Sequence, residues 1–353
     1  MLIDFAQNIN LKSLSPQTEF EEKVISFLQE WYSGSPKVSV QTSGSTGTPK
    51  IFEIEKSRML NSAKMTCDFL DLKEGNTALL CLPVEYISGK MMIVRALERK
   101  LKLLITSPSS KPAESLTAEI DFCAMSPLQV ENSLDKLHLI KNLIIGGAQV
   151  SESLKTKIYT QLSSVIHPTS RIYETYGMSE TLSHIGLKKM YPVAEDYFSV
   201  FDGIKISLDE RACLVISAPA LNPEILQTND LVQVKNQQEF RFLGRIDHVI
   251  NSAGLKIHPE KLERLLKTHL PNEAVFLGID DEILGQKLVL VIEGEENTAS
   301  KSRLDAALKE TEKRFSKNHL PKNILYIPNF PRIPNGKINR KELLNLAEQF
   351  FHE

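Results

Sequence analysis

Thr42-Ser43-Gly44-Ser45-Thr46-Gly47-Thr48-Pro49-Lys50 places four hydroxyls and a glycine in its first five positions, then a second glycine, a third threonine, a proline and a lysine. A loop of that make-up exposes backbone N–H groups unblocked by bulky side chains, with hydroxyl donors and one cation beside them. That inventory suits a polyphosphate. Apolar alternation in Val38-Ser39-Val40 predicts a strand entering the loop, and Ile51-Phe52-Glu53-Ile54 predicts another leaving it. The second strand matters, because the ordinary phosphate loop ends Gly-Lys-Ser/Thr and opens a helix. Here Pro49 separates Gly47 from Lys50, and an extended segment follows. Composition alone would favour a solvated Ser/Thr-rich turn.

The 353 residues are enough for about two domains with large cores. Apolar content of 42% and charged content of 24% are those of an ordinary globular protein. A net charge of −2 implies no general nucleic-acid-binding surface, so phosphate chemistry has to be local. Cys67, Cys81, Cys123 and Cys213 form no Cys-x-x-Cys pair, which argues against zinc and against a disulfide framework. Met1-Leu2-Ile3-Asp4-Phe5 lacks the basic start of a signal peptide, and no apolar run approaches the ~20 residues of a membrane span. A cytoplasmic setting is expected.

Helical spacing of Phe20, Val24, Phe27, Leu28 and Trp31 predicts a helix over 18–32, and another is expected over 57–71. Strands then alternate with helices up to a strand at Arg171–Thr175, which argues for a layered α/β domain. Short strands and turns from Val200 to Leu243 suggest a β-rich subdomain. Beyond it a smaller α+β unit is expected, with a polar loop from Gly294 to Lys301 and a last helix from Arg340.

The nine-residue loop resembles the phosphate-loop signature of the adenylate-forming enzymes: acyl-CoA synthetases, luciferases and peptide-synthetase adenylation domains. Tyr176-Gly177-Met178-Ser179-Glu180 resembles the same family's Tyr-Gly-x-Thr/Ser-Glu segment. Gly146-Gly147-Ala148 is similar to its Gly-Gly-Ala/Glu element, and Thr228-Asn229-Asp230 to its Thr-Gly-Asp. Gly244-Arg245-Ile246-Asp247, running on to Ala253-Gly254 and His258-Pro259, resembles the family's hinge segment. Pro331 to Arg340 resembles its catalytic-lysine loop, with Lys337 presented on a rigid Asn-Gly turn. Departures are Asn229 in place of glycine, where asparagine's tolerance of positive φ could preserve a turn, and Ala253 in place of a first glycine.

The resemblance implies a large α/β domain over 1–246 and a small mobile domain over 247–353, with Asp247 as the hinge. It implies ATP and Mg²⁺ as cofactors and coenzyme A as the thiol acceptor. Lys337, Glu180 and Thr46 would be catalytic, with Glu180 ligating the metal. Thr42, Ser43, Gly44, Ser45, Gly47, Lys50, Gly147, Gly177 and Ser179 would line the nucleotide. Tyr176 would stack on the purine, Asp230 would bind the ribose, Arg245 would reach ribose or phosphate, and Gly254 would line the path of coenzyme A.

Leu82-Pro83-Val84-Glu85-Tyr86-Ile87-Ser88-Gly89 stands where the family has Leu-Pro-x-x-His-x-x-Gly, which makes Tyr86 and Ser88 candidates for the acid pocket, and the Gly146-Gly147-Ala148 resemblance implies Gly146 beside them. Lys90 and Arg95 on the next, apolar helix would ordinarily snorkel to solvent. The run Ser88-Gly89-x5-Arg95 nonetheless resembles the o-succinylbenzoate–CoA ligases of menaquinone biosynthesis, in some of which an arginine here lies near the substrate's second carboxylate. Two alternatives stay open: a ligase for another acid or for a carrier protein acting in trans, and a non-catalytic nucleotide-binding protein. A homodimer could cover surface that a longer N-terminal region covers in most relatives.

Overall fold

The computed structural model describes residues 1–41, 51–165, 169–332 and 338–352. Their strands form one twelve-stranded sheet, in the order Leu2–Asp4, Lys102–Ile105, Thr77–Leu80, Ile120–Met125, Ile140–Ile145, Arg171–Gly177, His184–Tyr191, Phe198–Val200, Glu239–Arg245, Asn222–Asn236, Cys213–Ala218 and Lys205–Leu208. The five strands from Lys102–Ile105 to Arg171–Gly177 run parallel, and from Arg171–Gly177 onward every pairing is antiparallel.

The parallel strands are buried on both faces, as helices on either side require. Ala78, Leu80, Phe122 and Ala124 join a cluster with Val24, Leu28, Met59, Ala63, Met92 and Ala96, from helices Glu19–Trp31, Lys56–Phe69 and Ile87–Arg99. Leu79, Cys123 and Met125 point the other way, onto Val130, Leu154 and Ile158 of helices Pro127–Glu131 and Glu152–Ser163. Thr18 and Ser151 cap two of these helices with their side chains, accepting from Glu21 N and Leu154 N.

The region 200–243 differs from its expectation in two ways. It is not a separate β unit but the continuation of the same sheet, and one of its strands, Asn222–Asn236, is 15 residues long. The strand Lys37–Gln41 enters the Thr42–Lys50 loop and pairs antiparallel with Ile51–Glu55, which leaves it, as the alternation predicts.

A second, five-stranded sheet (Leu255–Ile257, Ile250–Ser252, Gly285–Glu293, Ala274–Asp281 and Asn323–Ile327) carries helices Pro259–Leu266, Thr298–Arg314 and Arg340–His352. Its faces bury clusters centred on Phe276 and Leu290 and on Val289, Val291 and Leu343. The polar stretch expected as a loop up to Lys301 instead starts a helix at Thr298, because Asn297 and Ser300 form a reciprocal cap.

Candidate active site

The carboxyl ends of the parallel strands are where open α/β sheets place ligands, and three of the sequence motifs lie there. Leu82–Gly89 follows strand Thr77–Leu80, Gly146-Gly147 follows Ile140–Ile145, and Ser179-Glu180 follows Arg171–Gly177. The backbone of Tyr86 bridges that of Gln41, the last described residue before Thr42–Lys50, so the acid-pocket segment lies beside the loop's entry. Gly89 is required where it stands: a Cβ there would lie 2.3 Å from the Pro83 carbonyl oxygen. Ser88 is exposed in the helix's first turn. Gly146 donates its N–H to Met125 O at 3.1 Å, and Gly147 is exposed with φ +83°.

Tyr176 and Asp230 lie four strands apart in the sheet order, a separation of roughly 19 Å in a flat sheet. Yet the Tyr176 hydroxyl donates to Asp230 Oδ2 at 2.5 Å, so the sheet curls on itself here. Phe240 meets the Tyr176 ring edge-on at 4.8 Å between centroids, with Phe198 and Phe242 behind. Burial, then the Asp230 carboxylate, pushes the Tyr176 hydroxyl well above the usual tyrosine range. Arg245, directly opposite Asp230 in the register, places Nη1 3.5 Å from Asp230 Oδ1 and forks onto Asp247 at 2.9 and 2.8 Å. The Asp247 fork holds the Arg245 guanidinium above its ordinary range, and Arg245 holds the Asp247 carboxyl below its own.

Asn229 needs no positive φ: it lies within the extended strand Asn222–Asn236, so the expected turn is absent. Its side chain accepts from Arg211 Nη1 at 3.2 Å, and Arg211 Nη2 donates to Thr228 O at 3.0 Å. No motif in the sequence marks this brace beside Asp230.

Glu180 sits in the turn Ser179–Thr181, exposed like Ser179. Its carbonyl accepts from Asn222 at 3.1 Å, but its carboxylate has no partner among the described residues. An exposed, unpaired carboxylate fits Mg²⁺, which takes one or two protein oxygens and completes its shell with phosphate and water. No group of three or more metal-ligating side chains occurs among the described residues.

The helix Ile87–Arg99 is buried from Gly89 to Ala96, so neither of its inner cations snorkels. Lys90 donates to Ser39 O at 2.7 Å, holding the strand that feeds the loop. Arg95 is 2% exposed. Its Nη2 donates to Ser183 Oγ at 2.9 Å, Nη1 makes a 3.7 Å contact with Met92 Sδ, and Nε has no partner among the described residues. No carboxylate pairs with it among the described residues, and burial lowers it to about 10. Ser183 also lies 3.2 Å from His184 Nδ1, and His184 Nε2 lies 3.0 Å from Thr66 Oγ1. No motif marks Ser183, His184 or Thr66 in the sequence: Ser183 is 88 positions from Arg95, and Thr66 is 118 from His184.

Beyond Asp247, the His248 ring meets Glu260 Oε1 at 2.6 Å, and Ala253-Gly254 turns between the strands Ile250–Ser252 and Leu255–Ile257. Thr42, Ser43, Gly44, Ser45, Thr46, Gly47, Lys50 and Lys337 lie outside the described residues. No helix of the described residues is long and apolar enough to cross a membrane.

The signature of the AMP-binding enzyme family matches residues 35–200. The crystal structure of an acyl-CoA synthetase (AMP-forming)/AMP-acid ligase II-like protein from Dyadobacter fermentans DSM 18053 is 32% identical, with a TM-score of 0.65 over 98% of this chain and 99% of that one. The chain belongs to the AMP-binding enzyme family. Within it, similarity extends to a 2-succinylbenzoate–CoA ligase of Bacillus mycoides (22% identity over 93% of this chain and 74% of that one). A D-alanine–D-alanyl carrier protein ligase of the same organism is as similar (23%, over 87% and 70%). The family match and the large mixed sheet therefore agree.

Proposed function

We propose that this chain is an ATP-dependent, AMP-forming carboxylic acid–coenzyme A ligase acting through an acyl-adenylate, with o-succinylbenzoate as its acid and menaquinone biosynthesis as its setting. The observation that carries the choice of acid is Arg95. A buried charge without a counter-ion costs several kcal/mol, and a second carboxylate on the substrate would supply one. The linked Tyr176, Asp230, Arg245 and Asp247 support the nucleotide half: Tyr176 offers an aromatic wall for the purine, and Asp230 offers acceptors for the ribose hydroxyls.

In this reading Thr42–Lys50 cradles the phosphates, with Thr46 among the catalytic groups, and Glu180 holds Mg²⁺, which when bound offsets phosphate charge. A carboxylate oxygen of the acid attacks the α-phosphorus, forming the mixed anhydride and expelling pyrophosphate. Lys337 neutralises the repulsion between the two anions and the charge growing on phosphorus. Positioning and charge carry the step, so no protein nucleophile is needed. The unit from 247 onward then turns about Asp247 and withdraws Lys337. The coenzyme A thiolate passes Gly254 and attacks the acyl carbon, forming the thioester while AMP leaves. Tyr86, Ser88 and Gly146 would border the acid.

The similarity to the D-alanine ligase, equal to that to the succinylbenzoate ligase, supports a carrier-protein acceptor as the second reading. The decisive measurement is AMP release across dicarboxylic, aromatic and fatty acids and D-alanine, with coenzyme A as the only acceptor. Turnover with o-succinylbenzoate is expected; adenylation that stalls without an added carrier protein would favour the alternative. Arg95→Ala should raise KM for o-succinylbenzoate about tenfold or more and barely alter that for benzoate-like monoacids. An equal change for both would remove the reason for a diacid.

A further inference from the structure

We propose that His184 is a positioning residue for the acid end of the site: it fixes the Ser183 hydroxyl, and through it the Arg95 guanidinium, so that Arg95 keeps N–H groups free for the substrate's second carboxylate. This rests on the acid reading above. The Thr66–Ser62 contact sets the direction of the row. Thr66 Oγ1 lies 3.1 Å from the Ser62 carbonyl, which can only accept, so Thr66 spends its single proton there. It can then only accept from His184, whose Nε2 at 3.0 Å must carry a hydrogen.

A neutral ring protonated at Nε2 has a bare Nδ1, and that nitrogen, 3.2 Å from Ser183 Oγ, takes the serine proton. Ser183 is left with lone pairs alone, and Arg95 Nη2 donates to one at 2.9 Å. The hydroxyl that could have offered the substrate a proton is thus committed, while Arg95 Nε has no partner among the described residues. The ring's surroundings keep it neutral: burial and then Arg95 hold His184 well below the usual histidine range. The Cys67 thiol near Arg95 is pushed up to about 12 by burial, so it supplies no anion.

Two measurements test this. The first needs no substrate: the ring-nitrogen NMR spectrum of protein labelled at histidine, with His184→Asn used to assign the signal. A neutral ring protonated at Nε2 at pH 7 is expected; an Nδ1-protonated ring or an imidazolium would overturn the proposal. The second compares His184→Asn, whose amide oxygen reaches the place of Nδ1, with His184→Gln, whose amide reaches the place of Nε2.

The glutamine variant should raise KM for o-succinylbenzoate about tenfold, with a smaller change for a benzoate-like monoacid, and the asparagine variant should recover most of that loss. Equal losses in the two variants, or equal effects on diacid and monoacid, would reduce His184 to packing. If Arg95→Ala fails to separate diacid from monoacid, the acid assignment falls, and the ring spectrum still decides the direction of the row.

Discussion

Ala253 and Gly254 are the two central residues of a hairpin between Ile250–Ser252 and Leu255–Ile257, with φ of +49° and +79°. Such a two-residue turn matches strand twist only when both residues have positive φ. Glycine does this freely, whereas alanine's Cβ crowds the following carbonyl at a cost of about 1 kcal/mol. The Ala253 methyl is exposed, so it gains no packing in return. Ala253→Gly should therefore stabilise the protein by about 1 kcal/mol, seen as a higher urea midpoint at unchanged slope. An unmoved midpoint would mean that the turn holds no strain. Both departures from the family pattern were visible in the sequence, but their meaning was not. Asn229 needs no special φ because neighbouring strands extend it, and pairing is a property of the sheet rather than of three residues.

At the scale of elements, Gly177 closes the strand Arg171–Gly177 against the start of His184–Tyr191. A Cβ there would sit 2.4 Å from His184 Cα and from the Ser183 carbonyl oxygen. Gly177→Ala must push those strands apart, at a cost of about 3 kcal/mol, and should disturb both Tyr176 and the Ser183–Arg95 contact. Wild-type-like thermal stability in that variant would show that the strands have slack. The strand carrying Gly177 was legible because Ile172-Tyr173 alternates into turn residues, and the helix Glu19–Trp31 because one face repeats. The strand His184–Tyr191 was not: it is buried on both faces for most of its length, so it carries no two-residue period. Leu2–Asp4 is too short to show one. The candidate site followed the same rule. Contiguous motifs could be read, whereas the Arg95–Ser183–His184–Thr66 row could not, because folding alone brings those residues together.

Over the whole molecule, two sheets with separate apolar clusters flank the segment Arg245–His248. If the smaller unit carries Lys337 to the nucleotide and away again, the two half-reactions should separate in a Lys337→Ala variant. Pyrophosphate–ATP exchange should fall by about a thousandfold, in the range seen when one charge-stabilising donor is removed. Thioester formation from supplied acyl-adenylate should persist, and matched losses in both assays would contradict an alternating lysine. The curl that joins Tyr176 to Asp230 bears on how such a protein acquires its function. On the roles proposed for them, a chain whose parallel strands have formed already holds Tyr176 as the aromatic wall, but the acid that faces it lies 54 residues downstream and four strands away. Contacts of that span form late, so affinity for nucleotide should be the last competence gained on folding and the first lost on denaturation.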